Sequence, residues 1–508
     1  MKFKILLLLI VILEVNIKCA TNSYDYSSYK AVSTNEDLTS ETKSSSTADQ
    51  SVVYITESGK KITGSTLTKE SGDSSNTENS EFYGVNAAVL VNGGGLTMTD
   101  GTITTKAKGA NALCATNGGT VTISGTKIIS TAQSSGRGLH ATYGGSITAS
   151  KVEISSTGGS CANLATDRGE GTVTCSECTL STAGAGSPLI YSTGIITVTK
   201  TTGTSTGAQA VVVEGKNTAS VLEGSNLNCY GIGNRGDIDM CGVMLYQSMS
   251  GDADSGTSTF NCKESTITID SKSSNHTSAP MFFITNTDAV INLEGCTFTY
   301  DSKIFLDTKG TSAWGSSGSN GGVVTLNLKN QNIEGDFVVD GLSGLTINLV
   351  NSTIKGTINK AKSGAKVNIT MDASSTITLT GDSYYTSLTN ADTTNSNIVK
   401  GSYAFESYTG SNITRPSGGT GGGNGDGKGG EGGPGDGSDH APPADGSDRA
   451  PPGSDHQPGT PPGKEGSDNE DDGDDDGDED NGANGFNNFI KVTLSLIFVL
   501  ILWDLNNE

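Results

Sequence analysis

Histidine, the side chain that most often acts as a general base, is scarce in this chain. Only four occur among 508 residues, at His140, His276, His440 and His456. The last two lie in a glycine- and acid-rich stretch, and His276 lies inside an N-x-S/T sequon. Nucleophilic triads and histidine-based zinc sites both need an imidazole held by a folded framework. We therefore expect neither, and we interpret His140, which has apolar neighbours, as part of a wall.

Carboxylates near basic residues are the remaining candidates for acid–base chemistry. Asp167, Arg168 and Glu170 are close together in sequence, and Asp252 and Asp254 follow about 80 residues later. A polysaccharide-active enzyme would need such groups to meet on one wall. Because no complete set of catalytic residues is found in the sequence, we predict that the protein is not an enzyme.

Cysteines and aspartates also define the metal sites to be considered. Eight of the nine cysteines follow the predicted leader, an even number that permits disulfides in an exported chain, although buried free thiols are the alternative. Cys175 and Cys178 are the only close pair, and a bridge between them needs a turn because residues i and i+3 of a strand point to opposite faces. Asp252 and Asp254 resemble the start of a calcium loop, but Lys263 replaces its bidentate glutamate. We predict no metal and no cofactor.

Aromatic residues are the candidates for contact with a partner. The Ser/Gly-rich segment from Asp307 to Gly322 contains Trp314 and is predicted to be a loop projecting from the body. Tyr143, Tyr191 and Tyr246 are suited to stacking on glycans if they face outward. Trp314 is the candidate contact residue, and packing of its ring back on the wall is the alternative.

Internal repeats define the elements that must position these residues. Glycine pairs recur before Thr- and Val-rich segments, with 25 residues from Gly94 to Gly119, 26 from there to Gly145 and 26 again to Gly171. Within a repeat, Val121 and Ile123 alternate with hydroxyl residues, which is the periodicity of a strand. Strands repeating at this interval predict a β-solenoid of about ten to thirteen stacked coils.

A second recurring segment supports the same register. It is a polar residue followed by Ser, Cys or Thr and an apolar residue, as in Glu177–Leu180, Glu264–Ile267, Gly295–Phe298 and Asn351–Ile354. Stacking these segments predicts inward columns of small and apolar side chains. With these motifs, residues 51–400 resemble the pectin-lyase-like right-handed parallel β-helix proteins, in particular secreted adhesins of that type.

The resemblance implies an architecture more than an activity. Asn286–Asp288 matches the first motif of the polygalacturonase-like hydrolases, but the other motifs of that family do not follow. Gln209–Val211 is similar to a segment of the esterase-like members, again without its catalytic partners. We expect both segments to be structural, with Asn286–Asp288 at a coil corner.

The two ends of the chain carry predicted export signals. Residues 1–20 have the charged start and apolar run of a signal peptide. Near the other end, small residues at 481–483 precede a polar spacer and the apolar segment 492–503. This pattern predicts a GPI anchor attached at Asn481, with a short membrane span as the alternative. Four sequons, at Asn275, Asn351, Asn368 and Asn412, are predicted glycosylation acceptors.

Composition divides the chain between these ends. We predict a disordered Ser/Thr-rich segment at 21–50, the parallel β-helix at 51–410, a Gly/Pro/acidic linker at 411–482 and the anchor signal at 483–508. Residues 417–480 hold 18 acidic and 3 basic residues, so −15 of the net charge of −23 lies there. No basic stripe is available for phosphate contacts, and nucleic-acid binding is not expected.

These features predict a non-catalytic structural or adhesive protein on the extracellular face of a cell membrane, in contact with glycans or proteins. A polysaccharide-active enzyme is the first alternative. An ice-binding surface made by Thr-x-Thr triplets is the second, although the spacing between triplets varies from 5 to 79 residues and does not predict one regular ladder.

Overall fold

The computed structural model describes residues 21–233, 240–248 and 250–413. The predicted signal peptide, nearly all of the linker and the anchor signal with Asn481 lie outside the described residues. Every described residue belongs to one compact unit.

The described residues form a parallel β-helix, as predicted. Each of the first ten coils contributes one strand to each of three long sheets, and each strand pairs in parallel with its equivalents in the neighbouring coils. Sheet 1 has twelve strands: Ala31–Thr34, Ser51–Ile55, Val89–Asn92, Leu113–Thr116, Leu139–Ala141, Leu164–Thr166, Ile190–Ser192, Val211–Glu214, Val243–Tyr246, Phe282–Thr285, Ile304–Thr308 and Asp336–Val339.

Sheet 2 is the longest of the three and runs through fourteen coils. Its strands are Leu38–Thr39, Lys60–Thr63, Gly95–Thr99, Thr120–Ser124, Ser146–Ser150, Thr172–Ser176, Ile195–Thr199, Thr218–Leu222, Thr257–Lys263, Asp288–Glu294, Val323–Lys329, Gly344–Val350, Lys366–Met371 and Ser387–Asn390.

Sheet 3 completes each coil in the first part of the solenoid, and sheet 4 takes its place in the last coils. The ten strands of sheet 3 are Thr42–Ser45, Thr66–Lys69, Thr102–Thr105, Lys127–Ser130, Glu153–Ser156, Thr179–Thr182, Thr202–Ser205, Asn226–Cys229, Thr266–Ile269 and Thr297–Thr299. Sheet 4 comprises Asn332–Glu334, Thr353–Gly356, Thr376–Leu379 and Ile398–Val399, and a final pair joins Ser383–Tyr385 to Phe405–Ser407.

The interior is built from columns of apolar side chains, one residue per coil. In sheet 2, Val121 and Ile123 point inward and are at most 3% exposed, whereas Thr122 between them is exposed. Because each column continues through every coil, one hydrophobic cluster extends from Leu38 to Ile398. Such stacking supplies the burial that a single coil cannot provide.

The corner at which the chain leaves sheet 2 for sheet 3, or for sheet 4 in the last coils, has the buried small residues that the second recurring segment predicts. Cys178, Ser265, Cys296 and Ser352 are all buried there. Hydroxyl groups at this position accept hydrogen bonds from backbone N–H groups of the preceding coil, as Ser352 Oγ does from Gln331 N at 3.1 Å. The small polar residues thus satisfy backbone donors that would otherwise be buried without a partner.

The amino-terminal boundary differs from the prediction. Residues 21–50 are not disordered, because Ala31–Thr34, Leu38–Thr39 and Thr42–Ser45 form the first coil and pair with the second. Before them, Tyr26 donates from its hydroxyl to Tyr83 O at 2.6 Å. A Ser/Thr-rich segment can fold here because an end coil needs few inward side chains and takes its backbone partners from the next coil.

One helix, Thr77–Tyr83, occurs in the described part of the chain. Asn76 caps its first turn by accepting a hydrogen bond from Glu78 N at 2.9 Å, and Gly84 ends it with a φ of 72°. The helical structure within the described residues is too short and too polar to cross a bilayer.

Candidate functional site

The outer face of sheet 1 is covered over most of its length. Its central outward column includes Leu90, Cys114, His140 and Met244, which are at most 3% exposed. Tyrosines of the amino-terminal segment and the helix Thr77–Tyr83 lie over the first coils. A covered face excludes water, and burial shifts the pKa values of the titratable groups within it.

His140 lies within this covered face, as a wall residue. Its side chain is fully buried, and neither ring nitrogen has a hydrogen-bond partner. Burial and the neighbouring Arg137 guanidinium hold the pKa of His140 well below its ordinary value, so the ring is neutral. The segment Asn286–Asp288 lies at the corner between sheets 1 and 2, as predicted.

Charged residues separated in sequence meet beside this face. Arg168 donates from Nε and Nη2 to Asp252 Oδ1 at 3.1 and 2.9 Å. Lys216 Nζ lies 2.9 Å from both Glu170 Oε1 and Asp254 Oδ2. The groups that an enzyme would need to bring together are therefore neighbours, and here Arg168 pairs with Asp252 while Lys216 lies between the carboxylates of Glu170 and Asp254.

A second set of charges lies deeper under the helix. Arg137 Nη2 lies 3.2 Å from Asp167 Oδ2 and 3.8 Å from Glu81 Oε1. Burial raises the pKa of Asp167 to about 8, against the opposing effect of Arg137. Asp167 does not line either of the two cavities described below, so it is not placed to act on a substrate in them.

The raised pKa of Asp167 predicts a pH dependence of stability. The carboxyl of Asp167 holds its proton more tightly in the folded state than in the unfolded state, where its pKa is near 4. Protonated Asp167 therefore contributes its full stabilisation of the folded state below about pH 4. That contribution is lost as the pH rises through about 8. Asp167→Asn should therefore flatten the decrease in melting temperature between pH 5 and pH 9. A melting curve series at several pH values checks this, and parallel profiles for both proteins would contradict it.

Trp314 lies against sheet 1 instead of projecting into solvent. It is 8% exposed and packs on Val212, Met244 and Phe283. Its ring centroid lies 4.7 Å from that of Tyr246. The loop around Trp314 folds back because an indole ring buries a large apolar surface.

Beside Trp314 is a cavity of about 220 Å³, the aromatic pocket. Its wall includes Tyr191, Glu214, Tyr246, Asp252 and Trp314. Glu214 was not identified from the sequence, although a charge ending the apolar strand Val211–Glu214 is a usable signal for a specially placed side chain. The remaining predicted aromatic residue, Tyr143, stacks on Tyr83 outside this cavity.

The outer face of sheet 3 carries the larger cavity, a groove of about 680 Å³ that we call the sheet-3 groove. Its floor is formed by hydroxyl and amide side chains of successive strands: Thr179, Thr202, Thr204, Asn226, Asn228, Thr268 and Thr299. The groove crosses five strands, about 19 Å at a strand spacing of ~4.8 Å. Asp270 lies at its edge, and hydrogen bonds from Asn228 and from the backbone of Lys272 lower the pKa of this carboxyl.

The outer face of sheet 2 carries a column of threonines that are partly or fully exposed to solvent. Thr97, Thr122, Thr148, Thr174 and Thr197 occupy one register position on five successive strands. The column continues through Ser220 into stacked asparagines whose side-chain amides hydrogen-bond to one another at 2.8–2.9 Å: Asn261, Asn292, Asn327 and Asn348. This column of side chains is more regular than the spacing of the Thr-x-Thr triplets predicts. The number of residues per coil varies, but the pairing register of the strands in sheet 2 stays the same.

The cysteines include two disulfides, Cys175–Cys178 and Cys262–Cys296. The bridge between Cys175 and Cys178 was expected to need a turn between the two residues, and Glu177 provides that turn with a φ of 55°. Cys114, Cys161 and Cys229 are buried thiols. In the described residues, no group of three or more His, Cys, Asp or Glu side chains has the geometry to hold a metal ion.

The four sequon asparagines are all at least partly accessible. Asn275 lies in the turn after the strand Thr266–Ile269, and Asn412 follows the last strand. Asn351 donates to Asn330 Oδ1 at 2.8 Å, and Asn368 lies on a strand of sheet 2. Glycosylation at these positions stays a prediction.

Comparison with protein-family models, with curated proteins and with solved structures found no match to this chain. What the structure shows is therefore the architecture, a parallel β-helix.

Proposed function

We propose that the chain is a non-catalytic, cell-surface adhesive or coat protein that binds glycans along the sheet-3 groove. The observation that carries this proposal is the groove itself, an open channel across five strands with a floor of threonine and asparagine side chains. Hydroxyl and amide groups both donate and accept hydrogen bonds, as sugar hydroxyl groups do. A rigid solenoid loses little conformational entropy when such a chain binds.

The charge at the groove edge favours neutral glycans. The lowered pKa of Asp270 keeps its carboxylate ionised, and the lining of the groove includes a second acidic side chain, Asp301. Uronic acid polymers would be repelled by this edge. The pectin-lyase-like resemblance therefore supports a shared architecture, with a ligand unlike the acidic polysaccharides on which enzymes of that fold act.

Placement on the cell surface is part of the proposal. A cleaved signal peptide, an acidic linker and a GPI anchor at Asn481 would display the solenoid above the outer leaflet. Many anchored copies convert weak groove contacts into strong attachment through avidity. Phospholipase C specific for phosphatidylinositol should release the protein from intact cells, and its retention would favour the short membrane span.

Filling the groove should abolish glycan binding. Thr204→Trp places a bulky ring on the groove floor, and binding to an array of neutral glycans should fall at least tenfold. Thr148→Trp makes the same change at an exposed position of sheet 2 and should leave that binding intact. Equal binding by both variants would overturn the groove assignment.

The same two variants distinguish the alternatives. The threonine column of sheet 2 favours ice binding as a second candidate, in which case Thr148→Trp would remove ice-recrystallisation inhibition and Thr204→Trp would not. Release of reducing ends or unsaturated products from any polysaccharide by the wild-type chain would overturn the non-catalytic proposal.

A further inference from the structure

We propose that the aromatic pocket binds the ammonium group of a small organic molecule, such as an amino sugar or a quaternary amine. This site lies on sheet 1, so it goes beyond the glycan groove of sheet 3 and does not depend on it. The proposal rests on the charge, the walls and the size of the cavity.

The charge of the pocket comes from Glu214. Its side chain is 1% exposed, and its carboxylate accepts hydrogen bonds from the hydroxyl groups of Tyr191 and Tyr246, each at 2.7 Å, and from Ser248. These neutral donors solvate the carboxylate without cancelling its charge. Among the described residues, no lysine, arginine or histidine forms an ion pair with Glu214.

The second carboxylate of the lining, that of Asp252, does not change the net charge of the pocket. Asp252 is already paired with Arg168 at 2.9 Å. Within the part of the chain that the structure describes, the lining of the pocket and this partner therefore sum to one uncompensated negative charge. Because a buried charge without a counter-ion is costly, a bound cation would be stabilised here.

The walls favour an organic cation over a metal ion. Tyr246 and Trp314 lie with ring centroids 4.7 Å apart and planes at 52°, and Tyr191 completes the aromatic lining. The faces of such rings attract ammonium groups, most strongly in the case of tryptophan. Calcium sites usually gather several carboxylates, whereas the described lining has two, and Asp252 is already paired with Arg168.

The size of the pocket agrees with this class of ligand. A volume of about 220 Å³ is roughly seven times the ~30 Å³ that one water molecule occupies in the liquid. A methylated ammonium group or the amine-bearing part of a hexose therefore fits. Tyr191 supports the geometry, because burial and the nearby Glu214 raise its pKa well above the ordinary value and keep its hydroxyl a donor.

Tryptophan fluorescence tests the proposal directly. The chain has only two tryptophans, Trp314 and Trp503, so Trp503→Phe in the full chain leaves the pocket residue as the sole reporter. Choline and glucosamine should change its emission in a saturable way that weakens at high ionic strength. Glucose, which differs from glucosamine by a hydroxyl in place of the ammonium group, should not.

A variant and its matched control identify the charge responsible. Glu214→Gln keeps the shape and the carbonyl acceptor, and it should weaken choline binding about tenfold or more. Glu153→Gln makes the same change at an exposed position of sheet 3 and should have no effect.

Several results would overturn the proposal. Glucose binding as well as glucosamine would indicate a neutral sugar pocket, and a calcium response removed by EDTA would indicate a metal site. An unchanged affinity in a folded Glu214→Gln protein, or no saturable response in the parent chain, would also reject it. The comparisons with glucose and at high salt use the parent chain. They therefore test ammonium binding even if the Glu214→Gln protein fails to fold.

Discussion

Gly184→Ala should prevent the solenoid from stacking correctly at its fifth and sixth coils. Gly158, Gly184 and Gly207 occupy equivalent corner positions, where adjacent coils touch through their backbones. A Cβ atom at Gly184 would lie closer than 3.0 Å to the carbonyl oxygen of Gly158, a separation that real Cβ atoms do not show. Because the obstacle is backbone in the neighbouring coil, the cost should be on the order of 4–5 kcal/mol.

The matched control is Gly95→Ala, at the start of a sheet 2 strand. The nearest atoms to its added Cβ would be Thr120 Oγ1 at 3.3 Å and Ser58 Cα at 3.4 Å. The equivalent positions in the next two coils are Thr120 and Ser146, so a side chain fits there. Urea unfolding followed by circular dichroism should show a large shift for Gly184→Ala alone. Equal stability of the two variants would contradict the close stacking at Gly184.

Ile196→Ala should destabilise the protein by about 2–5 kcal/mol, because it leaves a cavity in the interior column. Ile196 is fully buried, whereas its neighbour Ile195 is 51% exposed on the outer face of the same strand. Ile195→Ala should therefore change the free energy of unfolding by no more than about 0.5 kcal/mol. The same substitution at adjacent residues thus tests the strand register.

Urea midpoints with a common m-value measure this difference. If Ile195→Ala proved the more damaging change, the inward and outward faces of this strand would be exchanged. Similar effects at both positions would mean that the outer face of sheet 2 is covered in solution.

Much of the fold was predictable because the glycine spacing and the alternation of apolar and hydroxyl residues both indicate stacked strands. The glycine pairs at 25–26 residue intervals and the alternation of Val121 and Ile123 with hydroxyl residues predict stacked parallel strands, and the structure has them. The column of Cys178, Ser265, Cys296 and Ser352 was also predicted from its repeated segments. The first coil was missed because its composition resembles that of a disordered chain.

The candidate sites were less predictable. Trp314 was identified, but its burial against sheet 1 depends on a loop that folds back across other coils. Arg168 and Asp252 are 84 residues apart, with two coils between them, and their contact is made only in the folded chain. The spacing of equivalent residues ranges from 19, between Thr370 and Thr389, to 41, between Ser220 and Asn261. A sequence period therefore cannot show which side chains share a column in the later coils.

The amino-acid sequence alone determined that the chain forms a parallel β-solenoid, because strand alternation and recurring glycines are local properties that each coil carries by itself. Only the tertiary structure decided which outward residues became neighbours. The groove in sheet 3, the threonine column of sheet 2 and the buried carboxylate of Glu214 all arise from contacts between coils of unequal length. Such contacts depend on where each loop places the next strand, and that placement is set by packing against neighbouring coils.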